Sequence, residues 1–467
     1  MAIKPTDMPL LRPLGIFEKF MVARSQLGVY HKVAVTARYS YDRKTATNDL
    51  KSVIYSALAL VISRHANLSI TMVGFDSSEP YFARLPYVDL DEVVTFSEIE
   101  NILDEEGRYQ HVLDRFLERE HSQPWDLDVP LPLWRLHVLQ QPRDESRFVL
   151  SYMFHHAVGD TKSAVVFHQA LEDALNHTLS AIEASSKVIS PNLPLVPPLD
   201  AFIDPAREVD GNVADDPEVL WTGTAQFLPA RTKFRSLRFG VDDSTEILRM
   251  CKGHGVSLTA AIQAMLVTAL FEKLPAEYTA LRTDCPISLR DWLPAPVSAL
   301  CMGILVDSFV ETHQRPDLVD GGKGPFAWVH DAQKTKRRID RAVRERRGDG
   351  LLEKLAHIKD VKAWTMAKMG QPRTTSLELS NVGQLPFPTE KRSATIQGLV
   401  FSQSAGAASG AIKVSCVTGR DGRIVLGFTW QEGVVEDVFV DGLLEEFQSI
   451  LDRDLAAFHR AQNGRDE

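Results

Sequence analysis

A proline-rich interruption near the middle of the chain constrains the fold most strongly. Apolar periodicity is lost over residues 186–216, where Asn, Asp and Gly mix with prolines at positions 191, 194, 197, 198 and 205. Such a composition is typical of an extended crossover between structured units. With 467 residues, 44% of them hydrophobic, the chain can bury two cores, because single cores stop growing beyond about 250–300 residues. We therefore predict subdomains at 1–185 and 217–467, joined by a linker at 186–216.

Both halves alternate strand-like and helix-like segments, which predicts the α/β class. The first half has helical periodicity over 47–64 and 163–175, and strand-like stretches at 32–39, 68–73, 133–139 and 148–154. The second half has helical periodicity over 244–253, 258–273 and 438–460, and strand-like stretches at 232–239, 304–310, 412–417 and 424–430. The last two strands flank Arg420-Asp421-Gly422 and predict a hairpin.

Charge, cysteine spacing and the termini exclude several classes of protein. A net charge of −10 argues against general nucleic-acid binding, and an anionic ligand would need a local basic patch. The four cysteines show no C-x-x-C spacing, so we expect neither a zinc site nor a disulfide framework. The first fifteen residues lack the pattern of a secretory signal, and the apolar run 52–62 is too short for a membrane span. We expect a cytoplasmic protein without a membrane span.

The segment from Phe148 to Asp160 carries the clearest chemical signal. An apolar, strand-like run ends in His155 and His156, and Asp160 follows four residues after the second histidine. A neutral imidazole can accept a hydroxyl or amine proton near neutral pH and return it to a leaving group. Because neighbouring strand residues point to opposite faces, only one of the two histidines is expected to act as the base.

Two other interpretations of this motif stay open at this point. The histidines could merely satisfy backbone groups at a strand end, with Asp160 capping the following helix. They could also bind a metal, although adjacent histidines are poorly placed for one ion and no third ligand is evident. A serine hydrolase is disfavoured because no G-x-S-x-G motif occurs. We interpret Asp160 as structural, paired with a buried cation.

The run His155-His156-Ala-Val-Gly-Asp160 is similar to the HHxxxDG motif of acyltransferases with the chloramphenicol acetyltransferase fold, with Thr161 in place of the usual glycine. That superfamily includes plant BAHD enzymes and the condensation domains of peptide synthetases. The DFGWG motif of the plant branch is absent. Further segments resemble the fungal alcohol acetyltransferase family in particular: Arg12–Glu18, Arg24–Gly28, Pro132–His137, Pro286–Arg290, Ser380–Gly383 and Phe401–Gly406.

The resemblance implies two similar subdomains, each a mixed sheet with flanking helices, and an active-site tunnel at their interface. In the family the second histidine of the motif is the general base, which corresponds to His156 here. The family's aspartate pairs with an arginine, so Asp160 is expected to pair with Arg290. Acetyl-CoA is the implied donor, the acceptor enters from the other face, and no covalent acyl-enzyme or metal is required.

The oxyanion of the tetrahedral intermediate needs hydrogen-bond donors. Candidates for this role or for the acceptor pocket are His155, Asn381, Ser402, Gln403 and Ser404, the last three because they precede a run of small residues that a ligand could approach closely. An ordinary polar loop is the alternative for the serine-rich run. For the phosphates of coenzyme A, Arg231, Lys233 and Arg235 share a predicted strand face, while the basic run 334–347 is typical of a solvated helix face.

The sequence thus predicts an O-acetyltransferase that moves an acetyl group from acetyl-CoA to a hydroxyl of a small hydrophobic acceptor, as in secondary metabolism. Alternatives are amide formation on an amine, condensation chemistry with a carrier-bound donor, and a relative that binds ligands without catalysis. We expect a monomer, because a tunnel within one chain needs no partner.

Overall fold

The computed structural model of the protein describes residues 8–41, 49–104, 108, 110–144, 146–178, 185–207, 219–315, 324–386 and 392–463. The strands in these residues are β1 (Leu10–Pro13), β2 (Val33–Tyr41), β3 (Ile70–Val73), β4 (Tyr81–Arg84), β5 (Tyr87–Asp89), β6 (Val94–Glu98), β7 (Trp134–Gln140), β8 (Arg147–Phe154), β9 (Lys187–Ile189), β10 (Thr232–Arg238), β11 (Ala280–Ser288), β12 (Val306–Gln314), β13 (Leu377–Gln384), β14 (Ala394–Gln403), β15 (Ile412–Thr418) and β16 (Ile424–Gln431). The helices are α1 (Ile16–Gln26), α2 (Leu50–Arg64), α3 (Leu90–Val93), α4 (His111–His121), α5 (Thr161–Thr178), α6 (Val241–Gly253), α7 (Leu258–Lys273), α8 (Val329–Glu345), α9 (Leu351–Ala356), α10 (Val361–Met366) and α11 (Asp437–Asn463).

Two large mixed sheets organise the chain, which confirms the α/β prediction. The first has the order β14-β2-β8-β7-β6, with β6 and β7 parallel and the other pairs antiparallel. The second has the order β10-β16-β15-β13-β11-β12, in which β13 is parallel to both β11 and β15. Two smaller antiparallel sheets pair β1 and β3 with β4, and β5 with β9.

Each large sheet is covered by apolar helices. Helices α2 and α5 pack together beside the first sheet, and α7 and α11 pack together beside the second. Helix α7 begins where the Ser257 hydroxyl accepts a hydrogen bond from the Ala260 N–H, a typical N-cap. Residues Ala260–Phe271 of this helix are all buried, as expected for a helix that is apolar on every face.

Strand β14 links the two halves. It follows β13 in the chain, yet it pairs antiparallel with β2 at the edge of the first sheet. The chain then returns to the second sheet through β15. Strands on either side of the predicted linker at 186–216 therefore do not separate cleanly into the two sheets. Strand β14, from the C-terminal part, forms the edge of the sheet built by the N-terminal part.

Within the described residues, no single helix is long and apolar enough to cross a membrane; only α6 and α7 taken together, bent by 95°, reach that length and composition. Residues Ala260–Phe271 of α7 are buried inside the protein, which is typical of a core helix. The cysteines Cys251, Cys285 and Cys416 are buried, Cys301 is partly exposed, and all four are free.

Candidate active site

Strand β8 ends directly before the histidine pair, which therefore lies between the two large sheets. Its neighbours β2 and β7 hold it by antiparallel pairing, and the His155 N–H continues the ladder by donating to the Leu133 carbonyl at 2.9 Å. A short 3-10 turn over His156–Val158 then leads into α5. Gly159 is needed for a close approach: a Cβ there would lie 2.8 Å from the Ser163 Cβ, while its φ of 178° is extended backbone open to any residue.

His155 points into the protein interior. Its side chain is 1% exposed, its Nδ1 accepts a hydrogen bond from the Ala157 N–H at 3.0 Å, and its ring lies 6.0 Å from that of Trp125. Burial lowers the pKa of His155 to about 3, so the ring is neutral with its proton on Nε2. His155 does not line the cavity described below, so its contacts lie within the turn and not with a ligand space.

His156 faces the cavity and has a defined tautomer. Its Nδ1 lies 2.9 Å from the Gly159 carbonyl oxygen. Because that oxygen can only accept, Nδ1 must donate, and the neutral ring then carries its lone pair on Nε2. Burial lowers the pKa of His156, with hydrogen bonds and Asp160 opposing only part of that effect. The imidazole is therefore neutral near pH 7, with Nε2 as the proton acceptor.

The loop after His156 is tied to the second half of the molecule. Arg290 binds Asp160 with two hydrogen bonds, from Nη1 to Oδ2 at 2.7 Å and from Nη2 to Oδ1 at 2.8 Å. Both side chains are about 95% buried. Burial alone would raise the pKa of Asp160, but the Arg290 guanidinium and hydrogen bonds from the Leu305 and Ser163 N–H groups together hold the pKa below its usual value.

A cavity of about 510 Å³ lies between the two halves and contains the face of His156. Helix α1, strand β14 and the His156 turn line it on one side, and strands β11, β13 and β15 line it on the other. Its apolar wall includes Phe17, Phe20, Met21, Trp364 and Phe401. Concave sites with apolar walls and a few polar groups are typical of small-molecule binding.

Only some of the residues predicted as oxyanion donors line the cavity. Ser402 and Ser404 are fully buried and do not line the cavity; the Ser402 hydroxyl is 2.8 Å from His121 Nε2, and the Ser404 hydroxyl accepts from the Lys32 N–H. Gln403 does line it, accepting from the Tyr30 hydroxyl at 3.1 Å. Asn381 also lines the cavity, its amide held by Thr259.

Sequence reasoning missed a group of cavity residues that belong to separate elements: Arg24, Tyr30, Asp284, Arg373, Glu378 and Lys413. The Tyr30 ring lies 5.9 Å from the His156 ring. Strand register places Asp284 beside Glu378 and Glu378 beside Lys413. The sequence of each strand alone could not predict that Asp284, Glu378 and Lys413 lie side by side. Their proximity arises only when three distant strands pair in this register.

Several of the basic residues considered for coenzyme A phosphates form ion pairs with nearby carboxylates, and none of them lines the cavity. Lys233 lies within 4 Å of Glu118, Glu432 and Asp437, and Arg235 contacts Glu118 and Asp441. In α8, Lys336 pairs with Asp340 one turn away. Among the described residues, no group of three or more His, Cys, Asp or Glu side chains is arranged to hold a metal ion.

The two mixed sheets and the histidine between them correspond to a class of two-subdomain acyltransferases with the chloramphenicol acetyltransferase-like fold. The sequence model of the alcohol acetyltransferase family matches residues 13–190 and 224–455. The chain therefore belongs to the alcohol acetyltransferase family and is an acyltransferase.

Two curated relatives align with nearly the whole chain. One, named "Probable alcohol acetyltransferase crmB", from Aspergillus fumigatus, is 30% identical over 447 residues, covering 91% of this chain and 96% of the relative. The other, named "Probable alcohol acetyltransferase FCK4", from Fusarium pseudograminearum, is 23% identical over 475 residues, covering 94% of both chains.

Solved structures share the fold at low sequence identity. The TRI3 trichothecene 15-O-acetyltransferase from Fusarium sporotrichioides superposes with a TM-score of 0.69 at 11% identity, over 97% of this chain and 99% of that one. The first condensation domain of the calcium-dependent antibiotic synthetase, in complex with a substrate analogue, gives a TM-score of 0.65 at 13% identity, over 96% and 97%.

Proposed function

We propose that the protein transfers an acetyl group from acetyl-CoA to a hydroxyl of a small, largely hydrophobic acceptor, with His156 as general base. One observation carries the proposal: His156 lies in the cavity with Nδ1 bound to the Gly159 carbonyl, which leaves Nε2 as a proton acceptor. A positioned base of this kind contributes about 10²–10⁴-fold to rate. The relatives named alcohol acetyltransferases support a hydroxyl as the acceptor.

The proposed reaction needs no covalent acyl-enzyme. Nε2 of His156 accepts the hydroxyl proton as the acceptor oxygen attacks the thioester carbonyl carbon. The carbonyl electron pair moves onto oxygen and forms a tetrahedral oxyanion. Its collapse breaks the carbon–sulfur bond, and His156 returns the proton to the departing thiolate. The products are the acetyl ester and coenzyme A as free thiol.

Other residues support this chemistry without joining the proton transfer. We propose that Asp160 and Arg290 position the His156 turn, because their ion pair joins it to the second half of the protein. Gln403 and Asn381 are the candidates for contacts to the oxyanion or acceptor, since both line the cavity. The apolar wall formed by Phe17, Phe20 and Phe401 favours an acceptor with a hydrophobic body.

The whole cavity is formed by one chain, so we propose an active monomer. We also propose that the linker at 186–216 separates the two subdomains in sequence, with β14 as the strand exchanged between them. Neither proposal requires a partner protein.

Thiol release from acetyl-CoA tests the function directly. The assay compares wild type, His156→Ala and the matched control His177→Ala, whose side chain is exposed on α5. Acceptors are hydroxylated terpenoids and aromatics together with the corresponding amines. We expect acceptor-dependent release by wild type and the control and its loss in His156→Ala. Thiol release that persists in His156→Ala would refute the proposal that His156 is the general base. Thiol release with amine acceptors alone would show that the enzyme is an N-acyltransferase.

A further inference from the structure

The cavity is basic although the chain is acidic. Its lining includes six Lys or Arg side chains and four Asp or Glu side chains, in a protein of net charge −10. Asp160 is already neutralised by Arg290. The remaining excess of positive charge is unexpected for a site that binds only a neutral, hydrophobic acceptor.

Three of these cations are deeply buried and converge on one region. Arg24, Arg373 and Lys413 are 6%, 5% and 2% exposed. Nη2 of Arg24 donates to the Ala407 carbonyl and Nη2 of Arg373 to the adjacent Gly406 carbonyl. Arg24 and Lys413 also both approach the Tyr30 ring, at 4.8 and 4.2 Å from its centroid.

The three cations have unmet hydrogen-bonding capacity. Nε of Arg24, and both Nε and Nη1 of Arg373, are buried without a hydrogen-bond partner in the described residues. In the part of the chain that the structure describes, the contacts of Lys413 Nζ are a 3.4 Å hydrogen bond to the Ser404 carbonyl and the face of the Tyr30 ring. Buried charges are normally paired, because an unpaired one is costly.

The nearby carboxylates compensate only in part. Glu378 is the register partner of Lys413, and Asp284 is the register partner of Glu378. Neither forms an ion pair with the three cations within the described residues. Burial and Glu378 raise the pKa of Asp284 to about 7, so its negative charge is incomplete at neutral pH. Burial, with Arg24 and Arg373 nearby, lowers the pKa of Lys413 to about 7, so its positive charge is also incomplete at neutral pH until an anion binds beside it. Burial lowers the pKa of Arg373 to about 10, which leaves that guanidinium charged.

We propose that Arg24, Arg373 and Lys413 bind an acidic group of the acceptor, a carboxylate or similar oxyanion, so that the substrate is an alcohol with an apolar body and an acidic end. The proposal rests on the acetyl transfer proposed above and specifies its acceptor. An oxyanion would occupy the free N–H donors with charge-assisted hydrogen bonds and balance the buried positive charge.

Proximity to the base favours the acceptor over coenzyme A as the source of this group. Arg24, Lys413 and the His156 ring all lie within 6 Å of the same Tyr30 ring. The pantetheine arm of acetyl-CoA holds its phosphates far from its thioester. When the thioester is at His156, the phosphates therefore lie outside this part of the cavity.

Calorimetric binding of two probes tests the proposal without turnover. The probes are 4-hydroxybenzoate and its uncharged methyl ester, titrated into wild type, Lys413→Met, Arg373→Met and the control Lys252→Met, which removes an exposed lysine of α6. We expect wild type and the control to bind the acid at least about tenfold more tightly than the ester. We expect either cavity variant to lose that preference.

If Arg373→Met fails to fold, Lys413→Met still decides the test, because the side-chain hydrogen bond of Lys413 to the described residues is a single long one. Equal or undetectable binding of acid and ester by wild type would overturn the proposal, as would a preference that survives in Lys413→Met. Titration with acetyl-CoA and with S-acetylpantetheine, which lacks the phosphates, separates the two sources. A loss in Lys413→Met confined to acetyl-CoA would assign the cations to the donor. Because these readouts need no catalysis, their failure is distinct from failure of the His156 test.

Discussion

The ion pair between Asp160 and Arg290 connects the turn that carries His156 to the opposite half of the molecule. Asp160 lies four residues after His156, and Arg290 follows β11 of the second sheet. Arg290 also donates to the Cys301 and Gly303 carbonyls, and the Asp160 N–H donates to Gly303. The turn that carries His156 is therefore joined to a residue 130 positions further along the chain from Asp160.

Breaking this ion pair should cost considerable stability. Asp160→Ala leaves a buried guanidinium without its counter-ion, and we expect a loss of about 3–5 kcal/mol in the free energy of unfolding. The double variant Asp160→Ala/Arg290→Met should lose less than the sum of the two single changes. Urea unfolding measures all four proteins. As a control, Lys51→Ala removes one partner of an exposed pair with Asp91 and should cost at most about 1 kcal/mol. Additive losses would show that the two side chains are not coupled.

Replacing His156 should lower catalysis, whereas replacing His155 should lower stability. His156→Ala removes the cavity base and should lower kcat by about 10²–10⁴-fold while the melting temperature changes little. His155→Ala removes the side chain that accepts from the Ala157 N–H and should cost about 0.5–2 kcal/mol of stability. Steady-state kinetics and thermal unfolding of both variants provide the comparison. A kcat lowered more by His155→Ala than by His156→Ala would contradict the assignment of the base.

Acid should inactivate the enzyme only below the ordinary range of histidine. The proposed base, His156, accepts a proton only as a neutral imidazole, and burial lowers its pKa below the usual value of 6.5. As pH falls, protonation is therefore delayed, so kcat/KM should stay level through pH 6.5 and decline at lower pH. Circular dichroism at each pH establishes that the fold persists. An acid limb centred above pH 7 would show that His156 is not the group that titrates.

The close approach at Gly159 should not tolerate a methyl group. In Gly159→Ala the new Cβ would meet the Cβ and hydroxyl of Ser163 at 2.8 and 2.9 Å, and Ser163 in turn binds Asp160 and Arg290. We expect about 1–3 kcal/mol of destabilisation together with a lower kcat, because the turn that holds His156 must shift. Unfolding and turnover measured on the same preparation test this. If Gly159→Ala has the stability and kcat of wild type, the start of α5 can move to accommodate the methyl group without disturbing His156.

Local patterns predicted much of the fold. The helix expected over 258–273 has the same bounds in the structure, and the hairpin at Arg420–Gly422 joins β15 to β16 as expected. Strand β12 begins at Val306 and extends to Gln314, later than the predicted 304–310. Strands β11, β13 and β14 were not predicted, because their partly polar sequences become strands through pairing with distant neighbours.

The sequence by itself determined the α/β class, the acyltransferase family and the position of the histidine motif at a strand end, since these depend on residue types at short spacing. The tertiary structure decided which histidine faces the cavity, that Gln403 lines it while Ser402 and Ser404 do not, and that Arg24, Arg373 and Lys413 meet there. Those relationships arise from strand register and from packing between elements hundreds of residues apart. No local periodicity encodes them, because the neighbours that give each side chain its role are brought together only when the two sheets assemble.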